Sequence, residues 1–351
     1  MMSSDKMESK MPSNNLKLNL KKVADQVIVI TGASSGIGLV TARMAAAKGA
    51  KVVVAARNED ALKKLVAELN AKGQTAIYVT ADVAKEEEVN RIAERAIEEF
   101  GHFDTWVNNA GVAIYGHGTD LSISDMKRMF EVNFWGVVYG TRAAAKHFKD
   151  TRKPSAIINV GSVFGDKSSV MQSIYATSKF AVHGWTDSIR MEFEKEQLPI
   201  SVTLIHPHKT DTPYTEHAHS YISNQPSHLG IVYPPESVAE AILFAAQKPK
   251  RDLYVGGMSK LTAVLNDLFP RFTDRFVEEV MYPSQYRDRP SKPKEESSLY
   301  KAGYGLHERG TNKGWIRKRS YYVKAQKHPV LTTMAITIVA VLGLKLFKCK
   351  K

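Results

Sequence analysis

Val27-Ile28-Val29-Ile30-Thr31-Gly32-Ala33-Ser34-Ser35-Gly36-Ile37-Gly38 decides the reading of the chain. Four successive β-branched residues with no polar alternation predict a strand buried on both faces, as in a parallel sheet. The glycine-rich run follows at once and leads into a helix-spaced segment, Ile37–Lys48. Glycines placed between a strand and a helix permit a tight turn, close backbone approach to a pyrophosphate, and packing of the helix on the strand. Position is what gives this run its meaning, since a glycine-rich turn alone says little.

Outward from this point the same alternation repeats. Apolar runs at Val27–Ile30, Lys51–Ala55, Thr75–Val79, Thr105–Val107, Ala156–Val160, Ile200–Ile205 and Asp252–Val255 predict seven strands. Helical spacing at Ile37–Lys48, Glu59–Lys72, Glu86–Phe100, Ser124–Lys149 and Ile174–Glu196 predicts the intervening helices, with Gly49, Gly73 and Gly101 as caps. Strands alternating with helices predict one α/β domain, a doubly wound seven-stranded parallel sheet spanning 23–260.

The chain has 351 residues, 43% hydrophobic and 24% charged, which excludes a disordered polymer. Its net charge of +13 raises the question of nucleic acid, and location answers it. From Leu261 onward there are 18 Lys and Arg against 8 Asp and Glu, which leaves only +3 for the first 260 residues. A basic tail on a near-neutral body needs no nucleic-acid partner. The one cysteine, Cys349, excludes an intramolecular disulfide and suits a reducing compartment.

Residues 1–22 are polar and read as a flexible leader. Residues 261–329 form a basic extension, within which Pro283–Arg319 reads as a weakly ordered linker rich in Pro, Ser, Gly, Lys and Arg. The segment Val330–Leu344 has only Thr332, Thr333 and Thr337 as polar residues. Continued to Phe347, it would reach roughly 27 Å as a helix, enough for a bilayer core if Lys345 snorkels. Residues 330–347 are therefore expected to be a single C-terminal transmembrane anchor. Basic residues on both flanks, such as Arg317, Lys318, Arg319, Lys348 and Lys350, predict a catalytic body facing the cytoplasm.

The spacing Gly32-x-x-x-Gly36-x-Gly38, followed in order by Asn108-Asn109-Ala110-Gly111, Asn133, Ser162 and Tyr175-x-x-x-Lys179, resembles the short-chain dehydrogenase/reductase family over about Val23–Gly257. The resemblance implies a Rossmann-type fold and a nicotinamide cofactor held by Gly32, Ser34, Ser35, Gly36, Ile37, Gly38, Asp82, Val83, Asn109, Ala110, Gly111, Tyr175, Lys179, Pro207 and Thr210. Asn108 is expected to be structural, bridging neighbouring backbone segments. Arg57 closes the second strand, where an NAD site would want a carboxylate, and a guanidinium suits a 2′-phosphate. NADP(H) is thus expected ahead of NAD(H). Family members assemble as dimers or tetramers, and no residue here decides between a homodimer and a homotetramer.

Tyr175 and Lys179, four apart on a helix, share a face, so the ammonium can stabilise a phenolate. Ser162, just beyond the strand Ala156–Val160, lies where an open sheet binds ligands and would bond the substrate oxygen. The family uses Asn133 to hold a water in its proton relay. Together these predict an oxidoreductase that interconverts an alcohol and a carbonyl, with Tyr175 as acid and base. The alternative is a membrane-tethered NADP(H)-binding scaffold or sensor without turnover.

One departure stands out in Pro207-His208-Lys209-Thr210-Asp211-Thr212, where His208 replaces the family's glycine, so its φ should stay negative. The pairs His206/His208 and His217/His219 lack carboxylates at ligand spacing and predict no metal site. Met171, Tyr214, Tyr221, Ile222 and Tyr233 fall where the family caps its substrate cleft, which suits a lipophilic small molecule or ordinary core packing equally.

Overall fold

A computed structural model of the chain describes residues 18–312, 315–328 and 332. Seven strands form one sheet: β1 (Val27–Thr31), β2 (Lys51–Ala56), β3 (Ala76–Thr80), β4 (Thr105–Asn108), β5 (Ser155–Val160), β6 (Ile200–Pro207) and β7 (Asp252–Val255). Their order is β7-β6-β5-β4-β1-β2-β3, and every pairing is parallel. The chain reverses its direction of winding between β1 and β4, and that switch point opens the ligand crevice.

Alternate residues of each strand serve opposite faces. Ile28, Ile30, Val52 and Val54 pack with α1 (Gly36–Ala47), α2 (Glu59–Ala71) and a later helix, Pro235–Ala245. Val27, Val29, Val53 and Ala55 pack on the other face with α3 (Glu86–Phe100) and with Phe148 and Phe193 of the long helices. With both faces covered, the strands have no solvent side, which is why their sequence shows continuous apolar runs. Gly49, Gly73 and Gly101 all take positive φ at helix ends, as their positions predict.

The segment read as one helix from Ser124 to Lys149 is divided. α4 (Ile123–Phe130) and α5 (Gly136–Thr151) flank a π-turn at Glu131–Trp135, which carries Asn133. Such turns are rare and often found at functional sites. α6 (Ser173–Lys195) then carries Tyr175 and Lys179.

The larger departure is the extension. On either side of the expected linker Pro283–Arg319, Gly257–Leu268, Pro270–Phe276 and Tyr321–Lys327 are helices, and strands form within it. Tyr286–Pro290 pairs antiparallel with Asn224–Pro226, and Trp315–Ile316 pairs parallel with Ile231–Val232. Composition predicted little order because the segment has few apolar residues, but those it has are well placed. Leu299 is fully buried and Val323 nearly so. Gln326 bonds both the N–H and the C=O of Tyr254 on the edge strand.

Among the described residues no helix is long and apolar enough to cross a membrane. The expected anchor at 330–347 lies outside the described residues except for Thr332, as does most of the 1–22 leader.

If Tyr321–Lys327 is part of the cooperative unit, Val323→Ala should lower stability by about 1–3 kcal/mol in urea unfolding. An unchanged midpoint would mean that this helix adds nothing to the fold.

Candidate active site

The residues singled out in the sequence gather at the carboxyl edge of the sheet, most in the loops after its strands, with Asn133 on the π-turn and Tyr175 and Lys179 on α6. The glycine-rich turn follows β1, with Gly32 at φ 67° and Gly36 at φ 53°, the left-handed region that suits glycine. Space is equally limiting at Gly38, where an added Cβ would stand 2.3 Å from the Gly32 carbonyl oxygen. The turn is braced from β4: Asn109 Nδ2 donates to the carbonyls of Thr31 (2.9 Å) and Gly32 (3.3 Å). Thr31 Oγ1 in return accepts from the backbone N–H groups of Asn109 and Ala110.

The backbone bridge expected of Asn108 is therefore made mainly by Asn109. Asn108 instead ties β4 to β5 and α5 through Trp106 Nε1 (2.7 Å), Asn159 Oδ1 (2.9 Å) and Thr141.

Two adjoining cavities open over this edge. One is lined by Gly32, Ser34, Ser35, Gly36, Ile37, Arg57, Asp82, Val83, Asn109, Ala110 and Gly111, eleven of the sixteen residues expected to hold a dinucleotide. Burial opposes ionisation of Asp82, yet the hydrogen bonds from Arg128 and the Ala84 N–H, with the charges of Arg128 and Arg57, together keep its pKa low. Arg57 is pushed down by burial, which the nearby Asp82 carboxylate opposes and Arg128 reinforces, and its side chain bonds the carbonyls of Ser298 and Leu299.

The second cavity is lined by Ser162, Tyr175, Lys179, Pro207, His208, Thr210 and Tyr214, with Ile37, Asn109 and Gly111 shared with the first. Ser162 Oγ accepts from the Phe164 N–H at 3.1 Å, which leaves its own proton free to donate. Lys179 Nζ donates to the Val160 carbonyl at 2.9 Å, and burial lowers its pKa to about 8. Burial raises the Tyr175 phenol above its ordinary value, and the hydroxyls of Tyr214 and Ser162 act against it. Phe164 and Tyr214 lie edge-on to its ring at 6.3 and 5.7 Å.

Asn133 is fully buried. Its side chain clamps Val112, accepting from the N–H at 2.8 Å and donating to the C=O at 3.1 Å. An added Cβ on Gly111 would lie 3.4 Å from Asn133 Oδ1 and 4.0 Å from Lys179 Nζ, so both reach one point beside the cleft.

Some expectations land elsewhere. Thr210 Oγ1 turns back to the His208 carbonyl, while Thr212, four residues after His208 and not singled out before, packs over Gly36 and borders both cavities. Counting Pro-x-x-x-x-Thr from Pro207 would have pointed to it. Of the five residues expected to cap the substrate, only Tyr214 lines the cleft. Tyr221 bonds Asp125, Tyr233 packs against Gly256 and His208, Met171 is buried, and Ile222 joins a separate cluster. Met281 and Tyr304, from the extension, line the cavities unannounced by any motif.

His208 takes no positive φ, as its Cβ requires, and burial lowers its pKa to about 4. The two His-x-His pairs diverge. His217 lines the dinucleotide cavity, and His219 bonds Asp125 and Ser297. His206 meets Asp166 at 2.9 Å and Asp252 at 3.3 Å, with His183 at 3.3 Å on the other oxygen of Asp166. Burial disfavours the His206 cation, but the two carboxylates outweigh it and raise its pKa. Burial likewise opposes ionisation of Asp166, yet its two histidine partners bring it down to about 2.

The family model for short chain dehydrogenases matches residues 26–221, and the chain belongs to that family. It is 64% identical over 333 residues to the oxidoreductase YxnA of Bacillus subtilis, covering 95% of this chain and 94% of that one. Among solved structures, a short-chain dehydrogenase/reductase from Burkholderia phymatum in complex with NAD matches with a TM-score of 0.63 and 26% identity. It covers 76% of this chain and 98% of the other. An alcohol dehydrogenase from Thermococcus sibiricus complexed with 5-hydroxy-NADP gives a TM-score of 0.57 at 26% identity, over 65% and 95% of the two chains. The protein is an oxidoreductase of this family, acting on CH–OH and C=O groups.

The His206 network fixes a pH dependence of stability. Asp166 contributes above about pH 4 and loses that contribution as pH falls toward 2, whereas His206 contributes below 6.5 and loses it as pH rises through its raised value. Asp166→Asn should therefore cost about 2–4 kcal/mol, most between about pH 4 and 6.5 and less on either side. A pH-independent difference in unfolding free energy would contradict this network.

Proposed function

We propose that the protein interconverts an alcohol and a carbonyl using NADP(H), on a lipophilic substrate, while its C-terminal segment tethers the catalytic domain to a membrane from the cytoplasmic side. The observation that carries the cofactor choice is Arg57, a largely buried cation after β2 that has two backbone carbonyls but no carboxylate bonded to it. A 2′-phosphate supplies the missing charge and accepts several N–H groups at once. The glycine turn suits a pyrophosphate, because the absence of Cβ atoms at Gly32 and Gly38 lets the turn, α1 and Asn109-Ala110 pack closely enough to bring backbone to the cavity wall.

When bound, the nicotinamide supplies or accepts the hydride. The chain's own groups handle the oxygen. In the reductive direction, Ser162 donates a hydrogen bond to the carbonyl oxygen and keeps its proton, while Tyr175, protonated in its buried setting, transfers the one proton that the reduced oxygen needs. Lys179 still carries its proton near neutral pH and opposes the charge left on the phenolate. Tyr214 Oη, beside the Tyr175 phenol, and His208 Nδ1, which has no hydrogen-bond partner among the described residues, border this cavity. They give a substrate a second polar foothold beside the apolar Val163, Phe164 and Met281.

The lipophilic and membrane parts draw support from two features. Val330–Leu344 is nearly free of polar side chains and has basic flanks. Leu268, Phe269 and Phe272, at the junction of the two helices that precede Met281 in the chain, are 64, 59 and 63% exposed and form an apolar surface patch.

Tyr175→Phe should reduce kcat at least about 10²-fold with NADPH and a panel of aldehydes and ketones, while dinucleotide binding is kept. Parent-like turnover would falsify the assigned role, and no turnover by the parent on any panel member would favour the scaffold. The full chain should sediment with membranes and the chain lacking 330–351 should not. A full-length protein found in the supernatant rules out the tether.

A further inference from the structure

Residues Ser297–His307 lie outside the matched family region, yet they build one wall of the dinucleotide cavity through Ser298, Ala302, Gly303 and Tyr304. The segment is pinned along its length. Leu299 is fully buried and belongs to the core cluster on the sheet face that carries Val27 and Val29. Asn58, the cap of α2, donates to the Gly303 carbonyl at 2.9 Å. The Leu306 N–H donates to the Ser34 carbonyl at 2.8 Å, and the His307 carbonyl accepts from the Gly36 N–H at 2.9 Å. The chain therefore runs alongside the phosphate-binding turn, bonded to it on both sides.

The same segment fixes Arg57. Its two terminal nitrogens donate to the carbonyls of Ser298 and Leu299, and Arg128 Nε donates to the latter as well at 3.2 Å. A guanidinium has five donors, so three remain for a ligand. Carbonyls orient the side chain without cancelling its charge, whereas a carboxylate in their place would have filled the anion site.

We propose that Ser297–His307 is a clasp that completes the adenosine half of the cofactor site and aims Arg57 at the 2′-phosphate, so that cofactor preference depends on the C-terminal extension. Ser298 and Leu299 act as positioning residues through their backbone, and Tyr304 with His217 closes the wall, their rings edge-on at 4.3 Å. The aiming of Arg57 rests on the NADP(H) reading, whereas the clasp's closure over a dinucleotide does not. Held this way, the side chain loses less rotamer freedom when the phosphate arrives, which favours binding by pre-organisation.

The test uses the full-length chain and a contact that faces no ligand. An added Cβ on Gly305 would stand 2.2 Å from Ala61 Cβ on α2. Gly305→Ala should push the clasp away and weaken NADPH binding on the order of tenfold, with a smaller effect on NADH, as expected for one charge-assisted bond. Adding Ala61→Gly removes the struck atom and should restore the NADPH/NADH ratio, a rescue that general destabilisation would not show. Trypsin gives a second readout at the exposed Lys301, which NADPH should protect.

The proposal is overturned if Gly305→Ala binds both dinucleotides like the parent, if Ala61→Gly fails to restore the ratio, or if NADPH hastens cleavage at Lys301. The last result would mean that the cofactor displaces the segment. Arg57→Ala examines the cofactor reading separately. If it leaves NADPH binding unchanged, the aiming of Arg57 falls with that reading, and protection of Lys301 by either dinucleotide alone decides whether the clasp closes.

Discussion

The close approach of the glycine turn to its own helix is the constraint on which this site depends. An added Cβ on Gly38 would be 2.3 Å from the Gly32 carbonyl, so α1 can begin only where it does if both positions lack side chains. That approach places the N-terminus of α1 at the mouth of the crevice, where the Gly36 N–H is taken by the His307 carbonyl and an anion gains from the N–H groups that follow and from the helix dipole. Thr31 and Asn109 then lock the turn to β4, the strand across the switch point. The dinucleotide cavity is thus a consequence of how β1, α1 and β4 pack. It exists before any ligand arrives.

Around this scaffold the buried charges are arranged with unequal compensation. His206 sits between two carboxylates and Asp166 between two histidines, so each is stabilised in its charged form. Lys179 and Arg57 have only backbone carbonyls bonded to them, and burial lowers both. Breaking even with desolvation requires a partner of opposite charge. A closed network suits stability, and an open cation suits a ligand or a transition state that brings the missing charge. The two patterns stand on either side of the Ser162–Asp166 turn, which joins one region to the other.

The sheet was legible in the sequence because a parallel strand buried on both faces leaves an unbroken apolar run. All seven strands lie within about two residues of their expected bounds, since a run such as Val27–Ile30 has no other use. The residues at strand ends were legible for a related reason: chemistry collects at the carboxyl edge, and the spacing of Ser162, Tyr175 and Lys179 encodes one helix and one loop. Thr212 was legible only by counting from Pro207, since a loop without periodicity does not by itself separate it from Thr210. Tyr221 and Tyr233 were placed near the cleft because an aromatic side chain in a loop looks the same whether it caps a ligand or bonds Asp125.

The extension was illegible for a deeper reason. Sequence periodicity reports order that a segment creates for itself by burying a continuous face, and Pro283–Arg319 has none. Its order is borrowed. Leu306, His307 and Gly303 use backbone groups whose partners, Ser34, Gly36 and Asn58, are supplied by the domain more than 240 residues earlier in the chain. Backbone donors and acceptors are the same for every residue but proline, so such bonds leave almost no trace in composition. What composition can reveal is where a side chain is excluded: Gly305, facing Ala61, and Gly310, facing the Thr212 carbonyl, mark the two places where the segment comes too close to carry a Cβ. A polar, glycine-containing tail is for this reason ambiguous between a free linker and a strand laid tightly on a surface, and only the partner surface decides between them.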